Sequence, residues 1–243
     1  MEQSRGSSVV ALDQQIGEDI RVDDEHLLIA TPGNRRFNFF CGQRTAAQLN
    51  GLRQFPARRL RRSDPFADQL GDRVFQLTYE SNVGFVYDRA TFEPKGSFRY
   101  ASQGWGLTTD GTRLIMSNGS AALIFIDPTT METTGYVVVS RDEGPVGFLN
   151  ELEYIDGKVF ANIWQTDLIV VASPETGKVL AWIDLTGLNP EPDRLRYPFV
   201  LNGIARDPVD GRLVVTGKTW PRLYAIDLIP LKNAQPLRPG TLP

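Results

Sequence analysis

The sequence predicts an all-β chain folded as a β-propeller, and a recurring glycine turn is the first observation behind this. Gly71, Gly111, Gly157 and Gly211 each lie in a tight polar turn between two apolar runs. Their spacing is close to the roughly 40–50 residues of one propeller blade. The second observation is that little of the chain beyond residue 70 has a helical pattern. Together they favour radial repetition of small sheets over a β-sandwich, the other all-β architecture considered.

Each repeat contains the strands that one blade needs. A strand follows each glycine turn, and a second strand ends in Asp or a small polar residue, at 84–88, 123–127, 168–173 and 223–227. A polar turn and a further strand come next. Four short strands joined by tight polar turns are typical of a blade. We therefore expect a four-stranded antiparallel sheet in each interval, with Asp-Gly at the hairpin tips.

The first 66 residues differ from the rest of the chain. They contain the arginine-rich stretches NRRF (34–37) and ARRLRR (57–62), and none of their turns fits the repeat. We therefore divide the chain into a divergent segment, 1–66, in place of a first blade, and a propeller over 67–243. We expect the divergent segment to be the least regular part of the fold.

Composition excludes several classes of function. The 243 residues are 41% hydrophobic and 23% charged, as in ordinary soluble proteins, and the net charge of -3 gives no reason to expect nucleic acid or an anionic membrane as partner. The single cysteine, Cys41, excludes an internal disulfide and a multi-cysteine metal site. The single histidine, His26, excludes a histidine-rich zinc centre and disfavours a Ser-His-Asp triad.

Four motifs in the repeating region carry a family resemblance. They are QGWGLTTDG (103–111), LNELEYIDGKVFANIWQTD (149–167), LNGIARD (201–207) and TGKTWPRLY (216–224). In content, order and spacing, the region 69–228 resembles the plant- and bacterial-type glutamine cyclotransferases, also called glutaminyl cyclases. Members of that family are five-bladed propellers, of which about four blades are recognisable here.

The resemblance implies a glutaminyl-peptide cyclotransferase, an acyltransferase that converts an N-terminal glutamine to pyroglutamate and releases ammonia. The partners it implies are peptides or proteins with N-terminal glutamine. The substrate's α-amine attacks its own side-chain carboxamide, so the enzyme needs no serine or cysteine nucleophile. It must hold a folded-back substrate, stabilise the oxyanion and move a proton from the amine to the leaving ammonia.

The resemblance also implies the site residues. Asn150 matches an asparagine that orients the carboxamide oxygen, and Lys218 matches a site lysine that stabilises negative charge; both are assigned as catalytic. The predicted substrate-binding residues are Tyr79, Trp105, Asn150, Trp164 and Gln165. The alternatives are ordinary structural roles: a turn asparagine, core tryptophans and a solvated strand-end lysine. If these matches to the family are correct, one end of the channel brings together Trp105, Asn150, Trp164 and Lys218, with Tyr79 beside them.

One departure from the family affects activity. The family's catalytic glutamate belongs to an FGEG-type motif about fourteen residues before the position of Tyr79, where this chain has RRLRRSDP (58–65). Suitable codons for Arg59–Asp64 encode DFGEAI when they are read one base later. Codons for Leu49–Arg53 can likewise be shifted to encode STGYG, and both strings resemble motifs of the family. We therefore hypothesise that residues upstream of about Pro65 are out of frame, and we expect little or no activity. The alternatives are an inactive propeller that binds peptides or proteins and a chain with no stable fold.

Cofactors and location follow from the same reasoning. No cofactor is expected to be required and no metal ligands are assigned, while a structural divalent ion in the channel is neither predicted nor excluded.

The family resemblance implies a secreted or periplasmic protein. However, the first twenty residues lack the apolar core of a secretion signal, so the expected location is cytoplasmic if the sequence is complete. No run approaches the ~20 apolar residues of a membrane helix, and we expect a monomer.

Overall fold

The computed structural model describes residues 7–14, 66–189, 199–207, 211–218, 220 and 222–230. Within these ranges every regular element is a β-strand, and none is a helix able to cross a membrane. The arginine-rich stretches, Cys41, His26 and the codons of the frame-shift hypothesis lie outside them. The described residues form eighteen strands: β1 (Ser7–Gln14), β2 (Phe66–Leu70), β3 (Arg73–Leu77), β4 (Val83–Asp88), β5 (Pro94–Arg99), β6 (Gly106–Thr109), β7 (Leu114–Ser117), β8 (Ala122–Ile126), β9 (Thr133–Val138), β10 (Ser140–Arg141), β11 (Gly144–Pro145), β12 (Leu149–Ile155), β13 (Lys158–Ile163), β14 (Leu168–Ala172), β15 (Val179–Asp184), β16 (Leu201–Arg206), β17 (Leu213–Gly217) and β18 (Tyr224–Pro230).

These strands form four consecutive blades, which confirms the predicted propeller. Blade A is β2–β5, blade B is β6–β9 and blade C is β12–β15, each with its strands in sequence order and antiparallel. Blade D contains β16, β17 and β18. The short β10–β11 hairpin connects blades B and C.

The fourth strand of blade D comes from the opposite end of the chain. Strand β1 pairs antiparallel with β18 at Val9–Gln14, and at Ser7–Val10 it pairs in parallel with β15 of blade C. It therefore joins the outer edges of two blades in one eight-stranded sheet. The repeat does not predict this strand because β1 lies outside the repeating part of the sequence.

The glycine turns lie between the first and second strand of each blade. The first strand of each blade therefore precedes its glycine, and the expectation of one complete sheet in each interval between glycines was wrong by one strand. In blade C, Ile155 pairs with Lys158, which leaves Asp156 and Gly157 as a two-residue loop. Both have positive φ, 48° and 80° respectively, as a type I′ hairpin turn requires. The turn's twist matches that of the strands, so this dipeptide sets the register of the hairpin.

Apolar residues fill the spaces between blades. One buried cluster lies between blades A and B, a second between B and C, and a third between C and D. Ile115 of β7 belongs to the second cluster and Ile169 of β14 to the third, and both are fully buried. Burial of each such side chain contributes about 1.5–3 kcal/mol to the free energy of folding, so the clusters between blades stabilise the propeller.

The first strand of each blade lies nearest the propeller axis. Strands β2, β6, β12 and β16 contact one another in that order. Each is an edge strand of its own sheet, with only one strand partner in it. Inner strands of successive blades run parallel to one another, as the bonds from Ile204 to Glu151 and from Arg206 to Glu153 show for β16 and β12. They begin at the same end of the axis, which we call the site end, and side chains at these starts are brought close together.

Candidate functional site

Four aromatic side chains form a continuous arc at the site end. The ring centroids of Tyr79 and Trp105 are 6.3 Å apart, and those of Trp105 and Trp164 are 5.5 Å apart in an edge-to-face arrangement. Phe148 stacks on Trp164 at 6.3 Å with an interplanar angle of 27°. Tyr79 and the two tryptophans are half-buried, whereas Phe148 is exposed. We call Tyr79, Trp105, Trp164 and Phe148 the aromatic arc.

The arc is assembled by the same corner of successive blades. Trp105 directly precedes β6, and its backbone N–H donates to the Ser117 carbonyl at 2.9 Å. Trp164 directly follows β13, and its N–H donates to the Phe148 carbonyl at 3.0 Å. Tyr79 lies two residues beyond β3. Because each position is next to the start of an inner strand, radial repetition makes neighbours of residues that are far apart in sequence.

The indole of Trp105 is held from two sides. Its Nε1 donates a hydrogen bond to Gln103 Oε1 at 2.9 Å. On the other side it lies over Gly119, where an added Cβ would approach the indole to 2.8 Å. Gly119 also has a φ of +82°, which disfavours any other residue. The close approach of the indole therefore depends on glycine at 119.

Asn150 lies in the inner strand of blade C and is 3% exposed. Its backbone carbonyl accepts a hydrogen bond from the Ser117 hydroxyl of blade B. The same carbonyl leaves no room for a Cβ at Gly106. Its side-chain amide makes no hydrogen bond to any other described residue, so both amide atoms remain available for a ligand.

Lys218 and Gln165 follow the second strands of their blades. The Lys218 N–H donates to the Val200 carbonyl at 2.9 Å, the same corner bond that Trp164 makes in blade C. The Lys218 side chain is half-buried. Gln165 is exposed in the turn after Trp164, with a φ of +61°. Tyr79, Trp105 and Trp164 are thus in contact, and Lys218 occupies in blade D the corner that Trp164 occupies in blade C. Asn150 is buried in the inner strand of blade C, and Gln165 is at the surface. Their roles toward substrate stay predictions.

Three carboxyl groups lie deeper along the axis, on β2 and β12, and each has a raised pKa. Burial raises the pKa of Asp68 to about 7, against opposing hydrogen bonds from Gln69, Thr108 and Thr109. Burial, and then the negative charge of Asp68, raises the pKa of Glu153 to about 8. Burial, and then the charge of Glu153, raises the pKa of Glu151 well above its usual range. The three groups are thus electrostatically coupled.

These carboxyls bind the open edges of neighbouring inner strands. The Ile204 N–H donates to Glu151 Oε2 at 2.8 Å, and the Arg206 N–H donates to Glu153 Oε1 at 3.3 Å. Between blades A and B, the Thr109 N–H donates to Asp68. Each bond satisfies a backbone donor that its own sheet leaves unpaired, so these carboxyls hold consecutive blades together.

Two buried asparagines complete the junction between blades C and D. Strand pairing is irregular between Leu149 and Leu152 and between Leu201 and Ile204, at the same place in both inner strands. Asn202 Oδ1 accepts from the Glu151 N–H at 3.4 Å, and Asn162 Oδ1 accepts from the Gly203 N–H at 3.0 Å. The side-chain oxygens of the asparagines therefore accept hydrogen bonds from backbone N–H groups that the irregular strand pairing leaves unpaired.

Sequence reasoning missed three residues of this region, Asp68, Phe148 and Asn202, and it assigned no role to Asn162. The repeated Leu-Asn pairs, 149–150 and 201–202, were a usable signal for Asn202. Asp68 had no comparable signal, because its partners are on another blade. In the part of the chain that the structure describes, no three His, Cys, Asp or Glu side chains are grouped so as to hold a metal ion.

Comparison with known proteins shows where this architecture recurs. A family model described as glutamine cyclotransferase matches residues 66–228. A glutaminyl-peptide cyclotransferase of Arabidopsis thaliana is 44% identical over 162 residues, which cover 65% of this chain and 51% of the relative. The chain thus spans about half the length of that curated relative. The crystal structure of Myxococcus xanthus glutaminyl cyclase superposes with a TM-score of 0.69 at 27% identity, covering 94% of this chain and 100% of the other.

Proposed function

This chain belongs to the glutamine cyclotransferase family, and we propose that it cyclises the N-terminal glutamine of peptides or proteins to pyroglutamate with release of ammonia. The observation that carries the proposal is the aromatic arc with Asn150 beside it. Three blades supply Tyr79, Trp105 and Trp164, whose rings are in contact at the end of the axis where Asn150 is buried. An apolar wall beside one unpaired amide suits a ligand with a short apolar stem and a terminal carboxamide.

The proposed reaction needs the substrate's amine and carboxamide to be held together. The α-amine nitrogen bonds to the carboxamide carbon, the carbonyl becomes an oxyanion, and the bond to the departing nitrogen then breaks. The rings of Tyr79, Trp105 and Trp164 pack against the folded side chain. Asn150 donates to the carboxamide oxygen, and Lys218 supports the developing negative charge. Loss of one oxyanion donor typically costs about 10²–10³-fold in kcat.

The reaction also requires a group that moves a proton from the α-amine to the departing nitrogen. The family-type glutamate motif is absent from 58–65, and Glu80, a nearby carboxylate, is exposed. Asp68, with a pKa of about 7, and Glu153, with a pKa of about 8, titrate in a useful range but are hydrogen-bonded between blades. A positioned proton-transfer group contributes about 10²–10⁴-fold to the rate. We therefore propose that this chain turns over substrate more slowly, by a factor of this order, than a chain with the glutamate motif.

The second candidate is an inactive propeller that binds glutamine-initiated peptides. The missing glutamate motif favours it, since the aromatic arc and Asn150 are sufficient for binding without turnover. Ammonia release distinguishes the two candidates. If a Gln-initiated peptide binds and no ammonia forms over many hours, the binding module is the correct description; if no such peptide binds, both candidates are wrong.

The test of the enzyme hypothesis follows ammonia released from a Gln-initiated peptide. The same peptide beginning with Asn is the control, because its shorter side chain cannot close the five-membered ring. We expect slow release that Asn150→Ala lowers by about 10²–10³-fold. Lys218→Met is also expected to lower it, whereas Lys178→Met, which removes an exposed lysine from the outer side of blade C, leaves it unchanged.

The frame-shift hypothesis has its own test. A variant with residues upstream of Pro65 restored to the shifted frame is expected to cyclise the peptide about 10²–10⁴-fold faster, and replacing the restored glutamate with glutamine should remove the gain. Equal turnover by the two chains would show that another group already carries the proton.

A further inference from the structure

Phe148 is an exposed aromatic residue held in a strained backbone conformation. Its side chain is 37% exposed although its ring stacks on Trp164. Its φ is +58°, in the left-handed region that bulky residues rarely adopt. Such strain persists where surrounding contacts impose it, and it is concentrated at ligand-binding sites.

Hydrogen bonds on both sides of Phe148 impose this conformation. Its N–H donates to the Gly119 carbonyl at 2.9 Å, and its own carbonyl accepts from Trp164 at 3.0 Å. The next residue, Leu149, accepts from the Gly119 N–H at 3.1 Å. Gly119 is also the residue under the indole of Trp105. One glycine thus connects both ends of the three-ring stretch from Trp105 to Phe148, which makes that stretch a pre-organised surface.

Burial along the arc gives it a direction. Tyr79, Trp105 and Trp164 are half-buried and lie near the buried Asn150, whereas Phe148 is the exposed terminal ring. A peptide whose first residue lies among the first three rings must extend from them toward solvent. The ring that continues the arc outward is Phe148, which stacks on Trp164 with an interplanar angle of 27° and is itself exposed to solvent.

We propose that Phe148 receives the side chain of the residue that follows the N-terminal glutamine, and that the chain therefore selects substrates with an aromatic or large apolar second residue. This inference rests on the proposed function for the identity of the first residue. An aromatic pair gains free energy beyond its buried area, whereas glycine at the second position gains nothing from the ring. Charged second residues would lose hydration at the ring without a partner in return.

The test measures binding, so it does not depend on turnover. The probes are des-amino-glutaminyl-phenylalanine amide and des-amino-glutaminyl-glycine amide, which lack the attacking amine and cannot cyclise. We expect calorimetry to give a Kd for the phenylalanine probe about 10-fold lower than that for the glycine probe. Ammonia release from the glutaminyl forms of both peptides is measured in parallel.

Three variants identify Phe148 as the source of the preference. Phe148→Asn keeps a residue that tolerates positive φ and should bring the ratio of the two Kd values to about one without changing the Kd of the glycine probe. Phe148→Tyr keeps the ring and should keep the preference. Tyr136→Asn is the matched control, because it removes an aromatic side chain, 67% exposed, from the outer strand β9.

The outcomes separate this inference from the proposed function. A preference that disappears in Phe148→Asn supports the inference even if no ammonia is released, in which case only the enzymatic proposal fails. Ammonia release with equal Kd values for the two probes overturns the inference and leaves the enzymatic proposal intact. A preference that survives in Phe148→Asn, or binding of neither probe, also overturns the inference.

Discussion

The junction between blades B and C and the junction between blades C and D meet the same requirement with different side chains. In both, the inner strand presents backbone N–H groups that its own sheet does not pair. At the B–C junction the Tyr154 N–H donates to the hydroxyl of Thr108 at 3.0 Å, and the Ser117 hydroxyl donates to the Asn150 carbonyl. At the C–D junction the carboxyl groups of Glu151 and Glu153 accept from blade D, and the amide oxygens of Asn162 and Asn202 are further acceptors.

The chemical difference has a thermodynamic consequence. A hydroxyl satisfies a backbone donor equally well at every pH in the neutral range. A buried carboxyl accepts the same hydrogen bond but must either keep its proton or hold a charge away from water. The C–D junction is therefore coupled to pH and the B–C junction is not, although similar apolar clusters fill both.

The largest expected effect tests whether the apolar clusters of the B–C and C–D junctions stabilise the fold equally. Ile115→Ala removes a fully buried side chain between blades B and C, and Ile169→Ala removes one between C and D. Each is expected to lower the free energy of unfolding by about 2–5 kcal/mol through lost burial and a cavity. Urea unfolding at two pH values should give the same loss at both. A loss at Ile169 that changes strongly with pH would mean that apolar packing also depends on the carboxyls.

The next effect concerns Glu153 and pH. Its pKa rises from an ordinary 4.5 to about 8 on folding. Below both values the carboxyl is protonated in both states; between them only the unfolded chain releases the proton. Stability therefore falls as pH rises through this window and stays at the lower level above it.

Glu153→Gln measures that pH term directly. The amide oxygen can still accept from Arg206, and no charge forms. We expect the variant to match the parent near pH 4.5 and to exceed its free energy of unfolding by about 1–3 kcal/mol near pH 8.5, a figure reduced for partial solvent exposure. Urea unfolding at the two pH values is the measurement. A variant less stable than the parent near pH 8.5 would contradict the raised pKa.

The smallest effect is expected at the hydroxyl-based junction. Ser117→Ala removes the donor to the Asn150 carbonyl, and Ser117 is fully buried. A loss of about 1 kcal/mol in the free energy of unfolding is expected, equal near pH 4.5 and near pH 8.5. The same urea titrations measure it. If the loss varied with pH, the contrast between the two junctions would be incorrect.

Much of the fold could be predicted because its signals are local. The Asp156-Gly157 turn requires only two residues with positive φ between apolar runs, and the repetition of such turns set the period. Trp105 and Trp164 were also predicted, since the motifs that contain them are short and contiguous, whereas Tyr79 was predicted from the family resemblance outside those motifs. Phe148 was missed because an aromatic residue before a strand has the same sequence pattern whether it is buried or exposed.

The sequence by itself therefore determined the class of the fold, the hairpin turns and the motifs that carry the family resemblance, because each depends on residues close together in the chain. Only the tertiary structure decided that β1 completes blade D, that Asp68 and Glu153 share one electrostatic environment, and that Phe148 ends an aromatic arc. Strand pairing, burial and charge coupling are properties of distance in space. Residues from different blades acquire them only when the propeller brings their strands together.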